Sequence, residues 1–329
     1  MLEKKKFTVS LDEAHQRLDA FVSSKLEGYS KRKAKDLVDQ GLVTLNNKPM
    51  KIASVMIQRG DMVIVNVPQK IESKKIGRVI NDADVIFQNE DFIVINKPPG
   101  LASQETRNPK IIHLLPLVED YLRQQKSPLP APLILVHRLD LETSGAIFLA
   151  KNNDVATWAT QQFRERKVQK RYLALSYGIS KRTSFSEQAF LSEIDKKTGN
   201  VRIVQSGGRP AHTDFRVIAA HQEAQLTLFE CFPKTGRSHQ IRVHLEHSGF
   251  PILGDKRYGH QRRRLLPPHF RKIEELSFVG HCLHALDLAF ERDFKGKKMN
   301  FRAQLPDHFS QILAELFREQ EIISELTPS

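Results

Sequence analysis

The sequence predicts an α+β protein in two parts. The larger is a domain whose mixed, largely antiparallel sheet is flanked by helices, and a small α/β domain precedes it. Three observations predict this. The chain has 329 residues, enough for two cores, and its 40% apolar fraction can fill both. Strand candidates after residue 78 follow one another through hairpin-length links, without the dozen-residue crossovers of a repeated βαβ wind. Between the parts, Gln69 to Gly77 is polar, charged and aperiodic, as linkers are. The expected domains are therefore 1–68 and 78–329, joined by a linker over 69–77.

In the first part, Leu18, Phe21 and Val22 have helical spacing. A second helix runs from a natural N-cap at Ser30 to a stop at Gly41, with Ala34, Leu37 and Val38 on its apolar face. Lys31, Arg32, Lys33 and Lys35 crowd its first turns. Cations there oppose the helix dipole, so something other than local helix stability favours them. Leu42 to Leu45 reads as a strand. Asn46-Asn47 suits a tight hairpin turn, because asparagine tolerates positive φ. Gly60-Asp61 turns the chain into an alternating strand from Met62 to Val67.

In the second part, Val85 to Phe87 and Phe92 to Ile95 flank a hairpin turn, and Pro98-Pro99 ends the second of these strands. Ile111 to Gln125 reads as a helix. Leu133 to Val136 and Ala146 to Ala150 read as short buried strands. A helix capped by Asn153 or Asp154 carries Val155, Ala159 and Phe163 on one face. Arg164, Arg166, Lys167, Lys170 and Arg171 follow it closely. Further strands are expected at Tyr172 to Tyr177, Phe185 to Leu191, His212 to Ala219, Gln225 to Phe232 and Leu283 to Phe290. A helix entered near Ser238 and ended by Gly249 points Ile241 and Leu245 inward and places His239 and Arg242 on one face. Arg262 to Arg264 read as an exposed loop. Phe309, Ile312, Leu313, Leu316 and Phe317 make an amphipathic helix that closes the core.

Lys plus Arg number 51 against 38 Asp plus Glu, a net charge of +13 that favours a polyanionic partner, nucleic acid or an anionic membrane surface. No apolar run approaches the roughly 20 residues that span a bilayer; nucleic acid is the expected partner, and no membrane partner is expected. Met1 to Phe7 has lysines but no apolar run behind them, unlike a signal peptide. Cys231 and Cys282 lie far apart among apolar residues and read as reduced core thiols of a cytoplasmic protein.

One stretch is unlike the rest. Between the strand candidates ending at Val136 and starting at Ala146 lie His137, Arg138, Asp140, Glu142, Thr143 and Ser144. So many polar residues between two core strands have no packing reason, and such loops carry reacting groups on rigid supports. The histidine pairs His239/His244 and His281/His284 lack the further ligands of a zinc site, so no metal is expected. Ser144 is not in a nucleophile elbow. Neither a phosphate-cradling loop nor a dinucleotide fingerprint occurs, so neither ATP nor nicotinamide is expected. What remains is Asp140 among cations, with Glu142 as its near rival. Glycosidases pair two carboxylates, and no second partner is obvious.

Two resemblances organise these pieces. Arg17-Leu-Asp19, Ser30-Lys-Arg32, Asp39 to Asn46 and Arg59-Gly-Asp61 resemble the small RNA-binding domain named after ribosomal protein S4, over roughly residues 15 to 66. That likeness implies that Lys31, Arg32 and Lys35 face RNA backbone. His137-Arg-Leu-Asp-Leu-Glu-Thr-Ser-Gly145, Ile95 to Leu101, Lys170 to Ala174, Thr235 to His244, Leu253-Gly-Asp255 with Tyr258-Gly259, and Leu283-His-Ala285 resemble the signature of the RluA family of RNA pseudouridine synthases. The family implies that Asp140 is the catalytic aspartate acting at the ribose of the target uridine. It implies that Tyr172 stacks on the base and Arg242 pairs with Asp140. Arg138 would fill the gap left when the uridine flips out, and Arg237 and His239 would bind substrate. The expected protein is then an isomerase that uses no cofactor, a monomer acting on structured RNA, ribosomal RNA ahead of tRNA. Two segments depart from the family pattern: 101–132, and Gly280-His-Cys282 where an Arg-Gln-Ala type sequence is common. Two other functions stay open, a non-catalytic ribosome-assembly factor and a base-excising glycosidase using one carboxylate.

Overall fold

A computed structural model describes residues 2–26, 29, 31–68, 79–106, 111–127, 131–258, 267, 270, 273, 276, 280–292 and 294–317. The expected linker over 69–77, the N-cap at Ser30 and the loop 262–264 lie outside the described residues. The chain divides into two compact units, Met1–Arg78 and Val79–Ser329.

In the first unit, helices α1 (Leu18–Lys25) and α2 (Lys31–Asp39) share one apolar cluster with a four-stranded antiparallel sheet. The strands are β1 (Leu2–Thr8), β2 (Val43–Leu45), β3 (Lys48–Pro49) and β4 (Met62–Pro68), in the order β1-β4-β2-β3. Leu18, Phe21, Val22, Ala34, Leu37 and Val38 are all buried in that cluster, as their spacing predicts. Asn46 and Asn47 turn β2 into β3 with φ of 51° and 65°, the doubly left-handed hairpin turn. The sequence reading had no β1. Three consecutive lysines, Lys4 to Lys6, break its apolar alternation, yet it pairs with β4 from Leu2↔Pro68 to Thr8↔Met62. A lysine-rich strand at a sheet edge discourages pairing with other chains, and that use hides it from a hydrophobic pattern.

The second unit is built on an eleven-stranded sheet. Its strands are β5 (Val85–Gln88), β6 (Phe92–Lys97), β7 (Ile134–Leu135), β8 (Ser144–Ala150), β9 (Val168–Tyr177), β10 (Ser184–Leu191), β11 (Ile203–Val204), β12 (Arg209–His221), β13 (Leu226–Pro233), β14 (Leu283–Phe290) and β15 (Met299–Arg302). The path runs β11-β10-β12-β13-β9-β14-β8-β6-β5, with β15 beside β14 and β7 beside β8. Among the described residues every pairing between these strands is antiparallel except β14 with β8, and an isolated bridge between Ala102 and His113 is also parallel. The helices are α3 (Leu114–Gln124), α4 (Asn153–Arg164), α5 (Gln240–His247) and α6 (Asp307–Leu316).

The helices cover both faces. On β8, Ile147 and Leu149 join the cluster of α3, while Phe148 and Ala150 join that of α4. A strand buried on both faces needs apolar residues throughout, which is why Ala146 to Ala150 reads as an unbroken run. The helix α6 lays Phe309, Ile312, Leu313 and Leu316 on β9 and β13 residues such as Leu175 and Leu228.

The structure corrects several boundaries. The cap of α4 is Asn152, whose Oδ1 accepts the Val155 N–H at 3.0 Å, rather than Asn153 or Asp154. The strand β9 starts at Val168 and takes in Lys170 and Arg171, because pairing with β14 overrides their charge. The strands β11 and β15 are too short to show a period. The helix α5 starts at Gln240, and His239 precedes it in the left-handed region.

Gly145 marks where the polar loop enters the sheet. Its φ is +114°, and a Cβ there would lie 2.2 Å from the Ala285 carbonyl oxygen on the parallel neighbour β14. Gly145→Ala should therefore lower stability by roughly 2–4 kcal/mol, read as a drop in urea midpoint; an unchanged midpoint would contradict this packing.

Candidate active site

The polar loop between β7 and β8 is pinned from below. The Ser103 hydroxyl donates to the Leu139 carbonyl at 2.8 Å and accepts the Leu139 N–H at 3.0 Å. The wholly buried Lys97 ammonium donates to the carbonyls of Leu101 (2.8 Å), Pro98 (3.1 Å) and Leu141 (3.2 Å). His137 accepts the Phe148 N–H at 2.9 Å and stacks on Phe163, and burial lowers its pKa to about 3. The hydroxyls of Thr143 and Ser144 pair with His281 and His284 at 2.8 and 2.9 Å. These polar residues give the loop its shape, and they leave Asp140 facing a cleft of about 730 Å³. Glu142 does not line that cleft.

Asp140 keeps 22% of its side-chain surface open and is held by the guanidinium of Arg242, Nη1 to Oδ2, at 2.8 Å. The same guanidinium grips Asp255 with Nε at 2.7 Å and Nη2 at 3.0 Å. Asp255 also accepts the backbone N–H groups of Arg257 (2.9 Å) and Tyr258 (3.1 Å). Burial alone would push both carboxyls toward protonation. Arg242 outweighs it and holds both below the usual carboxylate range. Burial would likewise lower Arg242, but its bonds and charge interaction with Asp255, then Asp140, raise it above its ordinary value. The buried imidazole of His281, 3.8 Å from Asp255, is pushed down to about 3 and is neutral at pH 7. The cluster thus holds two carboxylates on one guanidinium.

Tyr172 on β9 lines the same cleft. Burial, then the charge of Asp140, raises its phenol pKa above the ordinary value, so it stays protonated at neutral pH. Farther out, Arg166, Lys170, Arg209 and Arg237 line the cleft. Burial, then Arg166 and Arg237, lowers Lys170 to about 8. Cations that depress one another mark a place for an anion. Arg138 is exposed at the cleft and bonds the Ser238 hydroxyl. Arg237 Nε donates to the Pro210 carbonyl at 3.0 Å. His239 is brought to Asp140, Nε2 to Oδ2, at 4.0 Å, by the chain turning left-handed before α5 rather than by sharing a helical face with Arg242.

The structure therefore gathers Arg138, Asp140, Tyr172, Arg237, His239 and Arg242 around one cleft. Lys31, Arg32 and Lys35 belong to α2 of the first unit, where Lys31 and Lys35 are exposed. Sequence reasoning assigned no role to Asp255, Lys97, Ser103, Lys170 or Tyr258. Asp255, Lys170, Tyr258 and Lys97 stand inside the motif pieces already noted, so a signal existed; Ser103 had none. Among the described residues no group of three or more His, Cys, Asp or Glu is placed to hold a metal ion.

Residues 91–247 match the family model described as RNA pseudouridylate synthase, and residues 16–63 match the S4 domain. A ribosomal large subunit pseudouridine synthase C from Yersinia pestis is 34% identical over 316 residues, covering 94% of each chain. An RNA pseudouridine synthase from Aquifex aeolicus is 32% identical over 311 residues, covering 92% of this chain and 94% of the relative. The structure of human RNA Pseudouridylate Synthase Domain Containing 4 superposes with a TM-score of 0.58 at 26% identity, covering 70% of this chain and 92% of the human one.

Asp255→Asn leaves Arg242 with an amide and should cost roughly 3–5 kcal/mol of stability at pH 7. The folded-state pKa of Asp255 is depressed, so its contribution is full above its unfolded value near 3.9 and is lost as pH falls further. Urea titrations should show a constant gap between wild type and variant from pH 7 to about 5 and a shrinking gap below about 4. A gap that widens on acidification would contradict the sign.

Proposed function

The chain belongs to the RNA pseudouridylate synthase family, and from that premise we propose that it isomerises uridine in large-subunit ribosomal RNA, with Asp140 as the reacting carboxylate. RNA is the substrate class of the family, and the S4 domain is a second RNA-binding element. The large-subunit target rests on relatives that carry that name. A tRNA target is the alternative. We take the protein to act as a cytoplasmic monomer; no helix among the described residues is long and apolar enough to cross a membrane.

One observation carries the chemical reading. Among the described residues Asp140 is the only carboxylate lining a cleft whose other charged side chains are cationic, and Arg242 holds it ionised. Pseudouridine formation breaks the bond from ribose C1′ to uracil N1, turns the base and closes a bond from C1′ to uracil C5; the C5 hydrogen leaves as a proton to solvent and N1 gains one. The atoms balance within the nucleotide, so neither a redox partner nor a phosphate donor is consumed. An ionised carboxylate acts at the ribose while the glycosidic bond breaks. Tyr172, kept as a neutral phenol, stacks on the base. Arg138, exposed beside the loop, occupies the place the nucleotide vacates. Extruding a base costs a few kcal/mol, and stacking on aromatic and guanidinium planes returns roughly 1–3 kcal/mol per base. Arg237 and His239 contact the substrate, and Arg166, Lys170 and Arg209 lie where flanking phosphates pass.

Asp140→Asn should abolish tritium release from uridine-labelled RNA, a loss of at least about a thousandfold, with RNA binding nearly intact. Retained turnover would remove Asp140 from the chemistry. Release of free uracil by wild type would identify a glycosidase instead, and an inactive wild type that binds RNA would identify an assembly factor.

The first unit contributes affinity. Replacing Lys31, Arg32 and Lys35 by Ala should weaken RNA binding and flatten the slope of log K against log salt by roughly 2–3, since each lost phosphate contact removes about 0.9. An unchanged slope would show that α2 does not face the RNA backbone.

A further inference from the structure

Tyr258 stands one residue layer behind the reacting carboxylate. Its hydroxyl oxygen accepts the Val201 N–H at 2.8 Å, and it lies 2.7 Å from Nδ1 of His239. The other ring nitrogen, Nε2, lies 4.0 Å from Oδ2 of Asp140. The two rings meet edge to face with centroids 5.6 Å apart, and the Tyr258 ring also receives the Arg242 guanidinium at 4.9 Å. His239 itself holds φ at +55°, in the left-handed region that only a few per cent of non-glycine residues adopt.

These bonds select one form of the imidazole. A neutral histidine has one donor nitrogen and one acceptor nitrogen. If Nδ1 carried the hydrogen, it would donate to the phenol oxygen, the phenol hydrogen would have no acceptor among the described residues, and the Nε2 lone pair would face a carboxylate. If the phenol donates to Nδ1, both groups are satisfied and an N–H dipole points from Nε2 at Asp140. Burial lowers the pKa of His239, which keeps the ring neutral at pH 7 despite the neighbouring carboxylate.

We propose that Tyr258 is a positioning residue that fixes His239 as its Nε2–H tautomer, so that a neutral donor, rather than a lone pair, faces Asp140 and the reaction space beside it. This rests on the reading of Asp140 as the reacting carboxylate. At 4.0 Å the donor is too far for a direct hydrogen bond to Asp140, so it competes with Arg242 for no lone pair. It is open to a substrate oxygen arriving between them. A protonated imidazole could hand its proton to the carboxylate; the neutral tautomer orients a dipole without that risk. The backbone of Val201 anchors the other end, so the tautomer is set by a strand connection rather than by a mobile side chain.

The first test uses the wild-type protein without RNA. Nitrogen-15 spectra of its histidine side chains, with His239 assigned by substitution, should show His239 protonated on Nε2. A protonated Nδ1 would overturn the proposal whatever the activity of the enzyme, and so separates it from the reading of Asp140. The second test is kinetic. Tyr258→Phe should give a mixture of tautomers and lower kcat about tenfold, with KM for RNA changed by less than about twofold. His239→Gln can keep an N–H near the Nε2 position and should retain more activity than His239→Ala. In the His239→Gln background, adding Tyr258→Phe should cost nothing further. An unchanged kcat in Tyr258→Phe, a loss confined to KM, or losses that add in the double variant would each overturn the proposal.

Discussion

One guanidinium shared by two carboxylates governs the second unit. Arg242 gives two of its donors to Asp255 and one to Asp140. The two acids differ in what else they receive. Asp255 has two backbone N–H groups as well and no exposed side-chain surface, so its acceptors are taken. Asp140 receives one charged hydrogen bond and remains partly open to the cleft. An arginine fork fits this division, because its planar donors can serve two acceptors at fixed angles, which a lysine cannot. Asp255 is thus the structural partner that orients Arg242, and Asp140 the one left available. Breaking such a buried arrangement leaves an uncompensated charge, so the cluster is also a point on which folding depends.

The support for this cluster is the sheet. Arg242 comes from α5, Asp140 from the loop before β8, Tyr172 from β9, and His281 from just before β14. The strands β9, β14 and β8 are neighbours in that order, so three of the four groups hang from adjacent strands. Because β8 is buried on both faces by α3 and α4, its start cannot slide without moving two cores. Groups on such supports hold their geometry more tightly than groups on free loops.

Much of this could be read from residues, and the failures have physical reasons. The α+β class, the antiparallel majority, the loop around Asp140 and the apolar faces of α1, α2 and α6 follow from period and turn chemistry. The strand β1 did not, because its lysines serve an edge rather than a core. The start of α5 did not, because a left-handed His239 has no local signature. The cap of α4 was misplaced by one residue among three consecutive candidates, Asn152, Asn153 and Asp154, all able to cap. At the site, residue types singled out the loop around Asp140 and the family resemblance supplied Arg138, Tyr172 and Arg242, while the sharing of Arg242 depends on Asp255 arriving from beyond the helix end. Such pairings belong to tertiary contact and leave no spacing rule in the chain.

Lys97 has a consequence for which partner adapts. A wholly buried ammonium tying three carbonyls of two loops makes the floor under Asp140 a rigid die rather than a closing jaw. A die does not reshape itself around what enters. The deformation needed to present a nucleotide must then come from the RNA, and the sequences that yield most cheaply are favoured even where no side chain touches a base edge. Selectivity in such a protein is in part a mechanical property of its substrate.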